Sequence, residues 1–165
     1  DTGEYNILPK QDESIWFIRP DADDKSFNGQ TKTFKEIKDW TNSFQVFENV
    51  TLDGNTKIIA GEPYNIKKEW RNYVVDGKVV TSSLYRQDFR LKKIREDAPE
   101  EMIKFVEDRC KEYQPHKIYA MDVALCGGDY YIIECGCMNS VGLYACDIPK
   151  LVRAITESVS NETFS

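Results

Sequence analysis

One histidine, His116, is all that the 165-residue sequence offers as a neutral-pH base, and nothing around it completes a Ser/His or Cys/His arrangement for nucleophilic catalysis. It follows Pro115 just ahead of an apolar run, which is a loop position. Long apolar runs are missing too. The longest stretch without Asp, Glu, Lys or Arg, Cys135 to Cys146, falls far short of a bilayer span, and no charged-then-apolar signal segment opens the chain. The expected setting is therefore the cytoplasm. Five cysteines are an odd number without an export signal, which argues against a disulfide framework. Positive charge is in deficit: 22 Lys+Arg against 28 Asp+Glu give a net charge of −6. That excludes a general nucleic-acid binder, since phosphate-backbone affinity needs clustered cations, and any phosphate site must be local. There is no internal repeat, low-complexity segment or linker. Asp1 is not an initiator Met, so the chain is expected to be trimmed or part of a longer protein.

What is present is a globular composition, with 41% hydrophobic, 30% charged and 12% aromatic residues. A chain of this length reads as one domain that buries roughly 70% of its unfolded surface. Ser14 to Ile18, stopped by Arg19-Pro20, reads as a buried strand, and Asp21 to Gln30 as a loop. Thr33 and Glu36 form a capping-box pattern, after which Phe34, Ile37, Trp40 and Phe44 recur at helical spacing. Phe44 to Val50 and Lys57 to Ala60 read as strands, the second ended by Gly61-Glu62-Pro63. Glu69 to Val75 and Lys78 to Tyr85 flank Asp76-Gly77, a hairpin signal, because a type I′ turn needs positive φ at both central residues. Asp97-Ala98-Pro99-Glu100 predicts a helix start with Asp97 as cap, and Met102, Phe105, Val106, Cys110 and Tyr113 mark that helix's inner face. Lys117 to Leu125 and Tyr130 to Cys135 are two more strands. Asp147 caps a last helix with Ile148, Leu151, Val152, Ile155 and Val159 on one stripe. Helices alternating with hairpins give an α+β fold with largely antiparallel sheet.

Chemistry gathers on the last hairpin. A three-residue loop, Gly127-Gly128-Asp129, would pair Cys126 with Tyr130 and set Asp122 directly opposite Glu134, both projecting from one face. Like charges directly opposite repel unless a cation sits between them. A hard divalent cation such as Mg²⁺ suits such a pair, and Asn139, five residues past Glu134, would bring an amide oxygen. Two other readings stand beside this one: the acids line a solvated face, or a two-residue turn shifts the register and separates them. Ile118, Ala120, Ala124, Tyr130 and Ile132, expected on the same face, argue against solvation.

The cations follow a similar logic. Arg19 closes the first strand, Lys25 lies in the loop beyond it, and Arg71 and Arg86 sit on the two arms of the Asp76-Gly77 hairpin. Together they would neutralise a polyphosphate and a substrate carboxylate, a task for which Arg offers a bidentate fork. The alternative for each is a surface charge, and for Arg71 a salt bridge to Glu69 or Glu62.

Taken in order, these residues carry a resemblance. Phe17-Ile18-Arg19-Pro20 with Lys25 and Gly29, then Lys68 to Val80 (KEWRNYVVDGKVV), then Asp122, then Ile133 to Ser140 (IECGCMNS) resemble an ATP-grasp nucleotide-binding domain. More narrowly they resemble the mostly phage-borne clade named for two arginines and a lysine. The similarity runs from Ser14 to Ile155, and the Asn139-Ser140-x-Gly142-x-Tyr144 tail is its most specific part. The resemblance implies two α+β lobes with mainly antiparallel sheets, about 1–60 and 61–165, forming a single ATP-grasp domain. It makes Arg19 and Lys25 phosphate ligands and Ala60, Gly61 and Glu62 the hinge at adenine, with Glu62 a ribose contact. It places Arg71 and Arg86 as catalytic charges directed at phosphate or substrate, and Asp122, Glu134 and Asn139 as Mg²⁺ ligands. Two features depart from the family pattern. The usual Glu-x-Asn has Gly136 in the Asn position, and family members usually carry a preceding domain that completes the substrate site.

The implied activity is ATP-dependent ligation of a carboxylate to an amine through an acylphosphate, with ATP and Mg²⁺ as cofactors. Its partners would be small-molecule or peptide substrates, with neither nucleic acid nor membrane involved, and its location cytoplasmic, in the host if a phage encodes it. Two rival readings remain at this point. One is a nucleotide-binding or catalytically silent module that recruits a partner. The other is an interaction domain stabilised by zinc on Cys126, Cys135, Cys137 and Cys146, although the spacings lack paired C-x₂-C knuckles.

Overall fold

A computed structural model describes residues 11–21, 26–43, 52, 56–95 and 98–163. The chain divides into two compact units, Asp1–Tyr64 and Asn65–Ser165. The expected strand Phe44 to Val50, the expected cap Asp97 and the candidate ligand Lys25 lie outside the described residues.

In the first unit, β1 (Ile15–Pro20) is the central strand of a three-stranded antiparallel sheet between β2 (Gln30–Thr33) and β3 (Ile58–Gly61). Ile18, fully buried, anchors it. α1 (Phe34–Ser43) begins with the capping box the sequence predicts: the Thr33 amide donates to Glu36 Oε2 at 2.7 Å and the Glu36 amide donates to Thr33 Oγ1 at 3.1 Å. Ile37 is the buried residue of its inner face.

The second unit is a five-stranded antiparallel sheet in the order β6-β5-β4-β7-β8. β4 (Ile66–Val75) and β5 (Lys78–Gln87) join through Asp76 and Gly77, at φ 51° and 74°, the left-handed pair a type I′ turn requires. β6 (Arg90–Arg95) is an edge strand, and β7 (Ile118–Cys126) and β8 (Asp129–Cys137) form the last hairpin. Alternation along β4 assigns its side chains to two cores. Trp70 and Val74 join Leu84, Tyr119, Met121 and Val123 beneath Met102, Val106 and Cys110 of α2 (Glu100–Glu112). Tyr73 and Val75 face the other way, against Cys146 and Leu151 of α3 (Ile148–Thr163) and its approach. At 25–30 cal/mol per Å² of apolar surface, each large aliphatic side chain buried here contributes roughly 2 kcal/mol.

Several expectations are corrected. The N-cap residue of α2 is Pro99, whose carbonyl accepts from the Met102 and Ile103 amides, with no side-chain cap. Tyr113 is 73% exposed, because the helix stops at Glu112 and Tyr113 is already extended. Asp147 does cap α3, accepting from the Lys150 amide at 3.0 Å, but Ile148, Val152 and Val159 are exposed and the inward side runs through Leu151, Ala154, Ile155 and Ser158.

The last hairpin carries the most instructive correction. Its turn has two residues, Gly127 and Gly128, so Cys126 pairs with Asp129 and Leu125 with Tyr130. Taken alone, that register would separate Asp122 from Glu134. A β-bulge restores the pairing: Val123 pairs with Ile132 and Asp122 with Glu134, leaving Ile133 as the extra residue. Tyr130 consequently lies on the α2 side, edge-on to Trp70 at 6.2 Å, rather than on the face of Asp122.

Candidate functional site

Asp122 is directly opposite Arg71 on β4 and Glu134 on β8, so three charged side chains share one row across three strands. The cation that two facing carboxylates demand is provided by the chain. Arg71 Nε donates to Asp122 Oδ1 at 2.8 Å and Nη2 to Oδ2 at 2.7 Å, a bidentate fork, and the same Nη2 lies 3.6 Å from Glu134 Oε1. The Asp122 side chain is 4% exposed and that of Arg71 12%, whereas that of Glu134 is 65% exposed. Bonding to Asp122 holds the Arg71 guanidinium in its charged form well above its already high range, against the opposing effect of burial.

The rest of the Arg71 side chain is fixed by groups the sequence left without a role. Its guanidinium carbon sits 5.1 Å from the ring of Tyr144 and 5.6 Å from that of Tyr85, and the two rings stack at 5.1 Å with 7° between their planes. Its Nη1 donates to the Gly142 carbonyl at 3.4 Å, which also accepts from the Tyr73 hydroxyl at 2.8 Å. Tyr144 stands at φ 48°, an uncommon conformation for a residue with a Cβ. The segment bearing it is tied to the sheet: the Ala145 amide donates to Ser83 Oγ, the Asp147 amide to Thr81 Oγ1, and Arg95 Nε to the Ala145 carbonyl.

A second pair lies on the same face. Glu69, 5% exposed, accepts from the Tyr85 hydroxyl at 2.7 Å and from Arg86 Nη1 at 3.1 Å. Thus Arg86, not Arg71, is the partner of Glu69. Burial, followed by the Asp122 charge and the Tyr85–Glu69 bond, pushes the Tyr85 phenol far above its ordinary value, and burial does the same for Tyr73.

The other candidates fall in separate places. Arg19 is exposed on β1, and its Nη1 donates to the Pro20 carbonyl. Ala60 and Gly61 end β3, and Glu62 follows, exposed. Asn139 is exposed in the 3₁₀ turn Met138–Ser140, and among the described residues no contact ties its amide to Asp122 or Glu134. His116 lies in the loop before β7 with its Nε2 3.7 Å from Cys137 Sγ.

Mg²⁺ is the ion to test against this geometry. Each Asp122 oxygen accepts one bond from Arg71 and keeps a lone pair, and Glu134 is open to solvent. Two oxygen donors in register fit a hard cation that takes one or two carboxylates and completes its shell with water and phosphate. Such an ion would be the second cation at the pair, beside Arg71. Zinc fits less well. All five cysteines are free, Cys146 is buried against Tyr73 and Leu151, and among the described residues no three His, Cys, Asp or Glu side chains are grouped to hold a metal.

The chain's two antiparallel sheets with three helices, divided between a larger and a smaller α+β unit, agree with an ATP-grasp fold. The chain belongs to this class: over residues 2–154 it matches an ATP-grasp domain family, the second family of its clade. It is similar in structure to the ATP-grasp ligase PsnB, solved in complex with a minimal precursor, with a TM-score of 0.56 and 14% sequence identity. The match covers 89% of this chain and 48% of that one, so the chain spans about half the length of the solved ligase. At that identity the likeness speaks for the fold alone. No curated protein matches the sequence. Among the described residues no helix is long and apolar enough to cross a membrane.

Proposed function

We propose that the chain is the nucleotide-binding part of an ATP-dependent carboxylate–amine ligase. The observation that carries this reading is the row Arg71–Asp122–Glu134 in an ATP-grasp domain. It is a preorganised set of charges without a side-chain nucleophile, suited to a reaction that needs alignment and neutralisation. In the proposed reaction a substrate carboxylate oxygen attacks the γ-phosphorus of ATP, ADP leaves, and an acylphosphate forms. An amine then attacks the acyl carbon, phosphate leaves, and the nitrogen loses its proton as the amide forms.

In this reading Asp122 and Glu134, with Asn139, would hold Mg²⁺. Bound there, the ion would offset charge on the transferring phosphoryl group. Arg71 is held by Asp122 and packed close to the stacked rings of Tyr85 and Tyr144, so it is a fixed charge rather than a mobile one. Arg86, whose side chain is 47% exposed and held through Nη1 to Glu69, is the freer cation and the better candidate to follow a substrate carboxylate. Arg19 and Lys25 are assigned to phosphate, and Ala60, Gly61 and Glu62 to adenine and ribose. The partners are small-molecule or peptide substrates, and the cytoplasm is the setting.

The test is ATP-dependent phosphate release by the chain with Mg²⁺ and a panel of carboxylates and amines. Release that depends on both acid and amine supports the ligase. Tight Mg-ATP binding with release at background across the panel would favour the silent, partner-recruiting module instead.

A further inference from the structure

β6 closes one side of the five-stranded sheet, and among the described residues no strand pairs with its outer edge. All six of its residues are exposed. Such an edge presents a row of unpaired N–H and C=O groups, which proteins commonly guard with charge. β6 is guarded and apolar at once. Arg90, Lys92, Lys93 and Arg95 interleave with Leu91 and Ile94, 61% and 40% exposed. Arg95 is committed to the Ala145 carbonyl, whereas Arg90, Lys92 and Lys93 form no ion pair among the described residues.

The turn that launches β6 adds a separate observation. Gln87 pairs with Arg90, so Asp88 and Phe89 form a two-residue turn, at φ 46° and 62°. Turns of this type favour Asn-Gly, because a Cβ in the left-handed region crowds the following carbonyl. Here the second position holds phenylalanine, which is 69% exposed. Burial of the ring does not compensate the strain, and strain retained at an exposed side chain is a mark of function.

We propose that the β5–β6 hairpin is a docking element that takes an acidic peptide segment, extended, as an added strand along β6. A free edge supplies main-chain hydrogen bonds to a sixth strand. Charge complementarity selects the occupant: four cations in six residues, in a chain of net charge −6, form a local basic strip that attracts acidic side chains. Phe89, Leu91 and Ile94 give it apolar contacts. A second copy docked β6 to β6 would set cations against cations. Nucleic acid would meet the repulsion of the whole chain and would leave the backbone edge unused. The inference concerns a different strand from the Arg71–Asp122–Glu134 row and stands whether or not the chain consumes ATP.

Fluorescence anisotropy of the whole chain with a labelled peptide of about ten residues alternating Glu and Thr tests it, that length being enough to span a strand. Saturable binding is expected, with slowed amide hydrogen exchange along Leu91 to Ile94. The charge-reversal variant K92E/K93E should weaken it about tenfold or more, and a peptide with prolines at alternate positions should lose it. Phe89→Gly, which relieves the turn while keeping the edge, should retain the fold and the edge protection but bind less tightly. Circular dichroism establishes that each variant is folded. Absence of binding, equal binding of the proline peptide, or indifference to K92E/K93E overturns the proposal. So does tighter binding to vesicles containing phosphatidylserine than to the peptide, or sedimentation showing self-association that K92E/K93E abolishes.

Discussion

Arg71 and Asp122 face each other across β4 and β7 and meet through two parallel hydrogen bonds of 2.8 and 2.7 Å. Both side chains are almost fully buried, and the pair couples the fold to the site, since the same guanidinium reaches Glu134.

Removing one member of the pair should therefore unfold more than it disarms. Arg71→Ala leaves the Asp122 carboxylate buried without its partner, and the expected loss is about 3–5 kcal/mol in urea unfolding. The double variant R71M/D122L should recover most of that stability but no ATP-dependent phosphate release. If R71A unfolds at the wild-type urea midpoint, the pair does not hold the sheet.

Glu134→Gln separates metal binding from folding. Glu134 is largely exposed, and among the described residues its one ionic contact is the 3.6 Å approach of Arg71, so the melting temperature should stay within a degree or two of wild type. Calorimetric titration should show Mg-ATP affinity lowered by about tenfold or more, because one charge is lost without a change in volume. Undiminished Mg-dependent binding would remove Glu134 from the metal site.

Tyr85→Phe removes one of the two donors that Glu69, which is buried, has among the described residues. An under-bonded buried carboxylate costs about 1–3 kcal/mol, so the denaturant midpoint should fall while the stacking on Tyr144 is preserved. Arg86→Gln should cost less stability, because its side chain is half exposed, yet should slow phosphate release more than Y85F does.

Alkaline stability should report the buried phenols. Tyr73 and Tyr85 are both raised by burial above the ordinary value of about 10, so above that pH the unfolded chain releases protons that the folded chain retains. Stability is then complete below about pH 10 and declines as pH rises beyond it. Urea midpoints measured from pH 9 to 11 should fall, and the slope should be shallower in Y85F.

Much of the fold was legible because it is written in local chemistry. Thr33 and Glu36 announce α1, Asp76-Gly77 announces the β4–β5 hairpin, and Asp147 announces α3, each through a side chain or turn that acts within a few residues. The site was legible only in part. Facing acids call for a cation, and the sequence pointed to Mg²⁺, but which cation answers depends on the register between β4 and β7, strands some fifty residues apart. The pairing of Arg86 with Glu69 has the same origin, since a bulge in the β4–β5 ladder leaves Tyr85 as the extra residue and sets Arg86 against Glu69. Tyr144 was visible in the Asn-Ser-x-Gly-x-Tyr tail, but its stacking on Tyr85 belongs to tertiary packing that no spacing encodes. Tyr113 misled because helical periodicity does not say where a helix stops.

A strand with strict alternation gives each face to one neighbour along its whole length. Ile133 frees β8 from that parity: the first half of the strand feeds Tyr130 to the α2 core, and the second half presents Glu134 beside Asp122. A three-residue turn that took in Asp129, with Ile133 returned to the ladder, would still seat Glu134 opposite Asp122. It would, however, turn Tyr130 out of the core and away from Trp70. The tight glycine turn is therefore tuned to the aromatic packing, and the carboxylate pair tolerates either loop length.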